Sequence, residues 1–289
     1  MLRERRSRLS GSALDRHGKV RLTAMPSLEG QVTYAAVGAC IYCGTSERRL
    51  TREHIIPLGL GGNWILPKAS CDTCSAITRD IEQFCLRPML GPFRIRLRLP
   101  TRRPKERPTT LQLEFMRTDG MRERSTVPAE DFPGVCFGFR WPAPGLLRGQ
   151  PPTENFEGEL VARLIEHEVR AHATPDGRKV KLGAVNMLLF ARMLAKIAHS
   201  YAVANLGLSA FSPLLPDLIL GRSAAAPWLV GGDASAPPLE TERSLHDVYL
   251  QHCLTSDVEY VLVAVRLFAF VGMPRYHVVV GKANTRRAV

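Results

Sequence analysis

The sequence predicts an α+β protein, in which a small cysteine-bracketed unit precedes a larger α+β region. Three observations carry this. Two Cys-x2-Cys pairs, Cys40/Cys43 and Cys71/Cys74, stand 27 residues apart. An apolar stretch from Val185 to Leu206 has the length of a buried helix, although Arg192, Lys196 and His199 interrupt it. Two β-branched runs, 258–271 and 276–280, are separated by Gly-Met-Pro-Arg and read as a hairpin.

The expected divisions follow from shifts in composition. Residues 1–36 read as a basic N-terminal arm, 37–86 as the cysteine unit, 87–110 as an arginine-rich strand and linker, and 111–289 as a C-terminal α+β domain. A chain of 289 residues suits about two domains at ~150 residues each. With 45% hydrophobic and 23% charged residues, the mix excludes a wholly disordered or fibrous chain. No uncharged apolar run reaches the ~18 residues of a membrane span, so no membrane partner is expected. Met1 to Ser10 carry four arginines and no apolar core, unlike a secretory signal, and a cytoplasmic location is expected. Seven cysteines, an odd number, favour reduced thiols or metal ligands over a disulfide framework.

The net charge of +12 is concentrated in two places. Residues 1–22 hold seven Arg/Lys against two acids, and residues 87–108 hold eight against one. The rest of the chain is neutral overall. Such clusters suit a polyanion, whose counterions they displace; they also suit solvated segments. Within the second cluster Phe93, Ile95, Leu97 and Leu99 alternate with Arg94, Arg96 and Arg98. Period two predicts a strand with three arginines on one face, either for phosphate contact or as a charged edge that resists aggregation.

Further along, 111–117 reads as a strand, because Leu111, Leu113 and Phe115 alternate. Residues 133–154 and 212–240 are rich in Pro and Gly and read as loops. Leu160, Val161, Leu164, Ile165 and Val169 predict a helix over 158–173, and a longer helix is expected over 182–204.

Four thiolates in two Cys-x2-Cys pairs suit tetrahedral Zn²⁺ at about 2.3 Å. Four sulfurs leave no open position, so this zinc is expected to be structural and to stabilise a unit of ~50 residues that is marginal by itself. The alternatives are unrelated buried cysteines or a redox pair. Cys85, Cys136 and Cys253 lack partners at ligand spacing.

Between the pairs stands Glu-His-Ile-Ile-Pro-x-x-x-Gly-Gly, residues 53–62. Zinc-bracketed, this resembles the HNH endonuclease family, whose core is the ββα-metal motif, over about residues 37–86. The resemblance implies a treble-clef-like zinc unit that hydrolyses phosphodiester bonds. It implies that His54 is the general base and that Glu53 is a ligand of a catalytic Mg²⁺ or Mn²⁺. An imidazole of ordinary pKa near 6.5 suits the first role, and a hard carboxylate oxygen suits the second. Adjacent residues of a regular strand face opposite ways, so both serve one site only if the strand ends there; Pro57 and the glycine loop predict that it does.

The sequence departs from the family twice. Leu66 falls near the usual bracing Asn, with Asn63 three residues earlier, and Ser75 follows Cys74 where a further metal ligand is usual. On a helix starting near Cys71, Ser75 and Arg79 share a face, while Cys74, Thr78 and Glu82 share another. Arg79 is a candidate phosphate holder and Glu82 a candidate replacement ligand. His199 reads as a core histidine and Trp64 as packing. His167, His172, His246 and His252 form no ligand pattern.

The leading expectation is therefore a metal-dependent endonuclease acting on nucleic acid, double-stranded DNA above all, with Arg79, Arg94, Arg96 and Arg98 on phosphates. The alternative is a catalytically inactive zinc-binding module that binds nucleic acid.

Overall fold

A computed structural model describes residues 30–117, 119–165, 179–181, 183–232, 244–256 and 258–284. In the cysteine unit, β1 (Val32–Thr33), β2 (Leu50–His54) and β3 (Trp64–Cys71) form a sheet in the order β1-β3-β2. β3 runs antiparallel to β2 and parallel to β1. Residues 32–33 thus belong to the unit's sheet; of the expected arm, residues 1–29 lie outside the described residues. The β2–β3 connection needs its glycines. Gly61 has φ +91°, and a Cβ on Gly62 would lie 1.9 Å from the Ile56 carbonyl oxygen.

Helix α1 (Asp72–Phe84) begins directly after Cys71, with Asp72 in its first turn, where a carboxylate opposes the positive helix end. It buries Cys74, Thr78 and Ile81. A wide π-type turn, Cys85–Met89, follows, containing Pro88, which has no N–H for the helical ladder.

The next segment corrects the arginine strand. Gly91–Arg96 is a short helix, α2, with Pro92 in its first turn. Alternation over seven residues is ambiguous, because Phe93 and Leu97 are also i, i+4 neighbours on one helical face. Tertiary packing decides it. Both are buried, and Phe93 meets Phe268 edge-on at 4.9 Å. The three arginines consequently do not line one face: Arg94 is partly buried and Arg98 is exposed with φ +51°.

Strand β4 (Thr110–Met116) lies where alternation predicts it, between β5 (Arg122–Pro128) and β8 (Lys179–Lys181). Two further expectations are corrected by β6 (Gly134–Arg140), which lies within the expected loop, and β7 (Glu159–Ile165), which replaces the start of the expected helix. The two pair antiparallel from Gly134–Ile165 to Arg140–Glu159. Leu160 and Val161 fit a strand equally well, one 51% exposed and the other buried. His167, Val169 and His172 lie outside the described residues.

Helix α3 (Met187–Leu206) is the centre of the fold. Asn186 caps it by accepting from the Leu189 N–H at 2.9 Å, and Gly207 ends it. Both its faces are buried, among them Phe190, Leu194 and Ile197, each contributing about 1.5–3 kcal/mol through burial. Against it packs a sheet in the order β10-β13-β12-β11, with β9 also on β13. Its strands are β9 (Phe211–Pro213), β10 (Val230–Gly232), β11 (His246–Thr255), β12 (Val258–Leu267) and β13 (Tyr276–Ala283). The β12–β13 pair is the hairpin read from the sequence. Short helices α4 (Pro216–Ile219) and α5 (Ala226–Leu229) close one side. One contiguous buried cluster runs from Cys40, Ile41 and Tyr42 through α3 to Val278–Val280, so the cysteine unit and the C-terminal half share a core.

Candidate active site

The four cysteines converge. Their Sγ atoms all lie within 4.8 Å of one another, and Cys43 and Cys71 are 3.8 Å apart. Sulfurs at about 2.3 Å from a tetrahedral ion are ~3.8 Å apart, so the donor set and its spacing fit structural zinc. The first pair sits in a tight knuckle, where the Gly44 N–H donates to the Cys40 carbonyl at 2.8 Å and φ of Gly44 is +76°. Burial pushes the Cys71 thiol up, but hydrogen bonds from Cys74 and the other cysteines outweigh it and bring it to about 7, which favours the ligating thiolate. Cys85 and Cys136 are buried elsewhere, their thiols raised by burial, and Cys253 lies on β11.

β2 ends at His54, and this permits Glu53 and His54 to line one cleft although they are neighbours. The cleft has a volume of about 960 Å³. Its walls come from β2, the glycine loop, α1, α2 and the segment 99–111. His54 is half-buried. Burial lowers its pKa, and the charges of Lys196 and Arg52 lower it further, which favours the neutral imidazole. Two contacts hold the neighbouring glycine loop. Arg94 donates to the carbonyls of Gly59 and Leu86. His246 donates from Nε2 to the Leu60 carbonyl at 2.7 Å, while its Nδ1 accepts from the Phe268 N–H. That pairing fixes the tautomer, and burial drives its pKa down to about 4.

The carboxylates are engaged by a residue from α3. Lys196 Nζ lies 2.6 Å from Glu53 Oε1 and 2.8 Å from Glu82 Oε1, and it also donates to the His54 carbonyl. Lys196 and Glu53 are buried, and Glu82 is partly exposed. Burial works against the ammonium, but the two carboxylates outweigh it and raise its pKa. Burial pushes Glu53 up, opposed by Lys196 and by the Tyr42 hydroxyl. A divalent ion needs carboxylate oxygens at about 2.0–2.6 Å, and Lys196 occupies Oε1 of each carboxylate. With the buried ammonium on Oε1 of both, an ion on Glu53 and Glu82 would face a like charge at close range, and the pair as it stands is a poor fit for one.

The remaining residues divide. Ser75, Arg79 and Glu82 line the cleft with Thr78. Arg94 lines it too, but spends its guanidinium on backbone carbonyls, while Arg96 and Arg98 do not line it. Arg52, Arg87 and Arg102 are exposed on its walls and were not singled out by sequence. Lys196 was visible only as an interruption of an apolar helix. A charge inside such a helix signals a buried partner, and that signal was available. His199 is a core histidine: its Nε2 meets the Ile41 carbonyl at 2.7 Å, and burial lowers its pKa to about 4. Trp64 packs on Tyr201 with ring centroids 5.4 Å apart.

Residues 40–87 match the HNH endonuclease family, which supports a nuclease-type function and a nucleic acid substrate for this unit. The match covers the zinc knuckles, β2, β3 and α1. No curated protein and no solved structure matches the chain.

Proposed function

We propose that this protein is an endonuclease that hydrolyses phosphodiester bonds in double-stranded DNA, with His54 as general base. The observation that carries this is a half-buried His54, its pKa lowered by burial, lining an arginine-rich cleft inside the family-matched unit. In the proposed step His54 takes a proton from a water molecule, and the water oxygen forms the new bond to phosphorus. The bond to the leaving oxygen breaks, and that oxygen takes a proton from solvent. Arg52, Arg79, Arg87 and Arg102 hold the phosphate oxygens and stabilise the developing charge. A duplex is favoured over a single strand because, among the described residues, the cleft lining has no Phe, Tyr or Trp, and single-strand grooves rely on such rings for stacking. Zinc at Cys40, Cys43, Cys71 and Cys74 ties the 40–43 knuckle to the end of β3 and the start of α1. No step is assigned to Mg²⁺ or Mn²⁺, because the buried Lys196 ammonium sits on Oε1 of both carboxylates.

The test is plasmid nicking by wild type and His54→Ala in Mg²⁺, in Mn²⁺ and with chelator, zinc content being checked in each. Nicking by wild type alone supports the enzyme. A gel shift without nicking by either protein supports the second reading, a module that binds nucleic acid without cleaving it. That reading draws on Ser75, which lines the cleft where the family usually has a metal ligand.

A further inference from the structure

We infer that Lys196 is the resident cation of the Glu53–Glu82 pair and keeps divalent metal out of it, while positioning the end of β2 that carries His54. The inference concerns the cleft of the proposed nuclease, but it does not depend on whether cleavage occurs.

The donor count comes first. An ammonium has three N–H groups. Glu53 Oε1 at 2.6 Å, Glu82 Oε1 at 2.8 Å and the His54 carbonyl use all three, and the Ile55 carbonyl at 3.4 Å completes the shell. No N–H remains for a substrate phosphate, so Lys196 touches no substrate and acts through β2. A divalent ion on the two Oε1 atoms would displace the ammonium or stand about 4 Å from Nζ, and one on the Oε2 atoms would stand only slightly farther, where two cations repel strongly in a buried setting.

The ammonium also has no route out. Lys196 is 1% exposed, in the middle of a 20-residue helix, between Ala195 and Ile197, both fully buried. Withdrawing it means burying an unpaired charge or moving α3, which also holds the cysteine knuckle through His199 and the Tyr42–Ser200 hydroxyl contact. Charge balance agrees. The ammonium answers one of the two carboxylates, and Arg52 and Arg79 line the same cleft as both.

The experiment titrates the zinc-loaded full chain with Mn²⁺ and follows free Mn²⁺ by its electron paramagnetic resonance signal. The expected result is that wild type shows no Mn²⁺ site sensitive to Glu82→Gln or Glu53→Gln. Lys196→Ala, with both carboxylates released, is expected to gain one Mn²⁺ per chain and to lose it again when Glu82→Gln is added. A wild-type Mn²⁺ site abolished by Glu82→Gln or Glu53→Gln overturns the inference, and so does a folded Lys196→Ala that binds none. If Lys196→Ala does not fold, wild type against the two Gln variants decides alone. Nicking plays no part in these readouts, so failure of the nuclease reading leaves them intact.

Discussion

The cysteine cluster and the carboxylates of the Glu53–Lys196–Glu82 cluster lie in the same small unit, but the two clusters are assembled over different distances along the chain. The cysteines span residues 40–74, the first pair in the Gly44 knuckle and the second at the junction of β3 and α1. The carboxylate cluster is completed from α3, 142 residues beyond His54. The first can form wherever its own segment folds. The second exists only when the C-terminal half has docked. Local spacing thus builds the scaffold, and long-range packing determines the charge state and the occupant of the site it carries.

The sharpest way to break the comparison is to remove the local cluster. Cys71→Ser is expected to lose the zinc, measured as metal per chain, and to unfold β2 and α1. Structural zinc supplies roughly 10–16 kcal/mol in small peptides, more than the stability of most domains. His54→Ala is expected to lower nicking about 10²–10⁴-fold while leaving DNA affinity and zinc content unchanged. The long-range cluster is tested by Lys196→Ala, expected to cost about 3–5 kcal/mol in urea denaturation, because Glu53 is left as a buried charge without its partner. Lys196→Met combined with Glu53→Leu is expected to recover most of that loss, since an apolar pair needs no compensation. If the single variant costs nothing, the cluster is not a folding link between the two halves.

Two smaller effects sharpen the picture. Arg79→Ala is expected to weaken DNA binding uniformly across sequences and to reduce the slope of log affinity against log salt by about one phosphate contact. The pH profile of nicking tests the state of His54. A base must be neutral, and burial together with Lys196 and Arg52 lowers its pKa below 6.5. Activity is therefore expected to hold as pH falls through 6.5 and to decline only at lower pH. A decline centred above 6.5 contradicts that environment.

Legibility followed the range of the interactions. The Cys pairs, Glu53, His54 and the glycine loop were readable because each depends on neighbours a few residues away. The end of β2 was readable for the same reason: Pro57, Gly61 and Gly62 punctuate it. The arginine segment was not readable in this way, because seven alternating residues satisfy a strand and a short helix alike, and docking of Phe93 against Phe268 selects the helix. The start of the expected helix at 158–173 failed the other way, since Leu160 and Val161 fit helix or strand and pairing with β6 selects the strand.

By itself the sequence determined the α+β class, the four-cysteine site, the position of His54 and the long apolar helix, because short-range spacing and hydrophobic period set all of these. Only the tertiary structure decided that Arg94 braces the glycine loop instead of facing phosphate, that His246 locks the same loop, and that Lys196 stands between the two carboxylates. Those outcomes depend on which buried polar groups meet across the core. Burial makes each such meeting obligatory, because an unpaired charge there is too costly to leave, yet no local pattern names the partner.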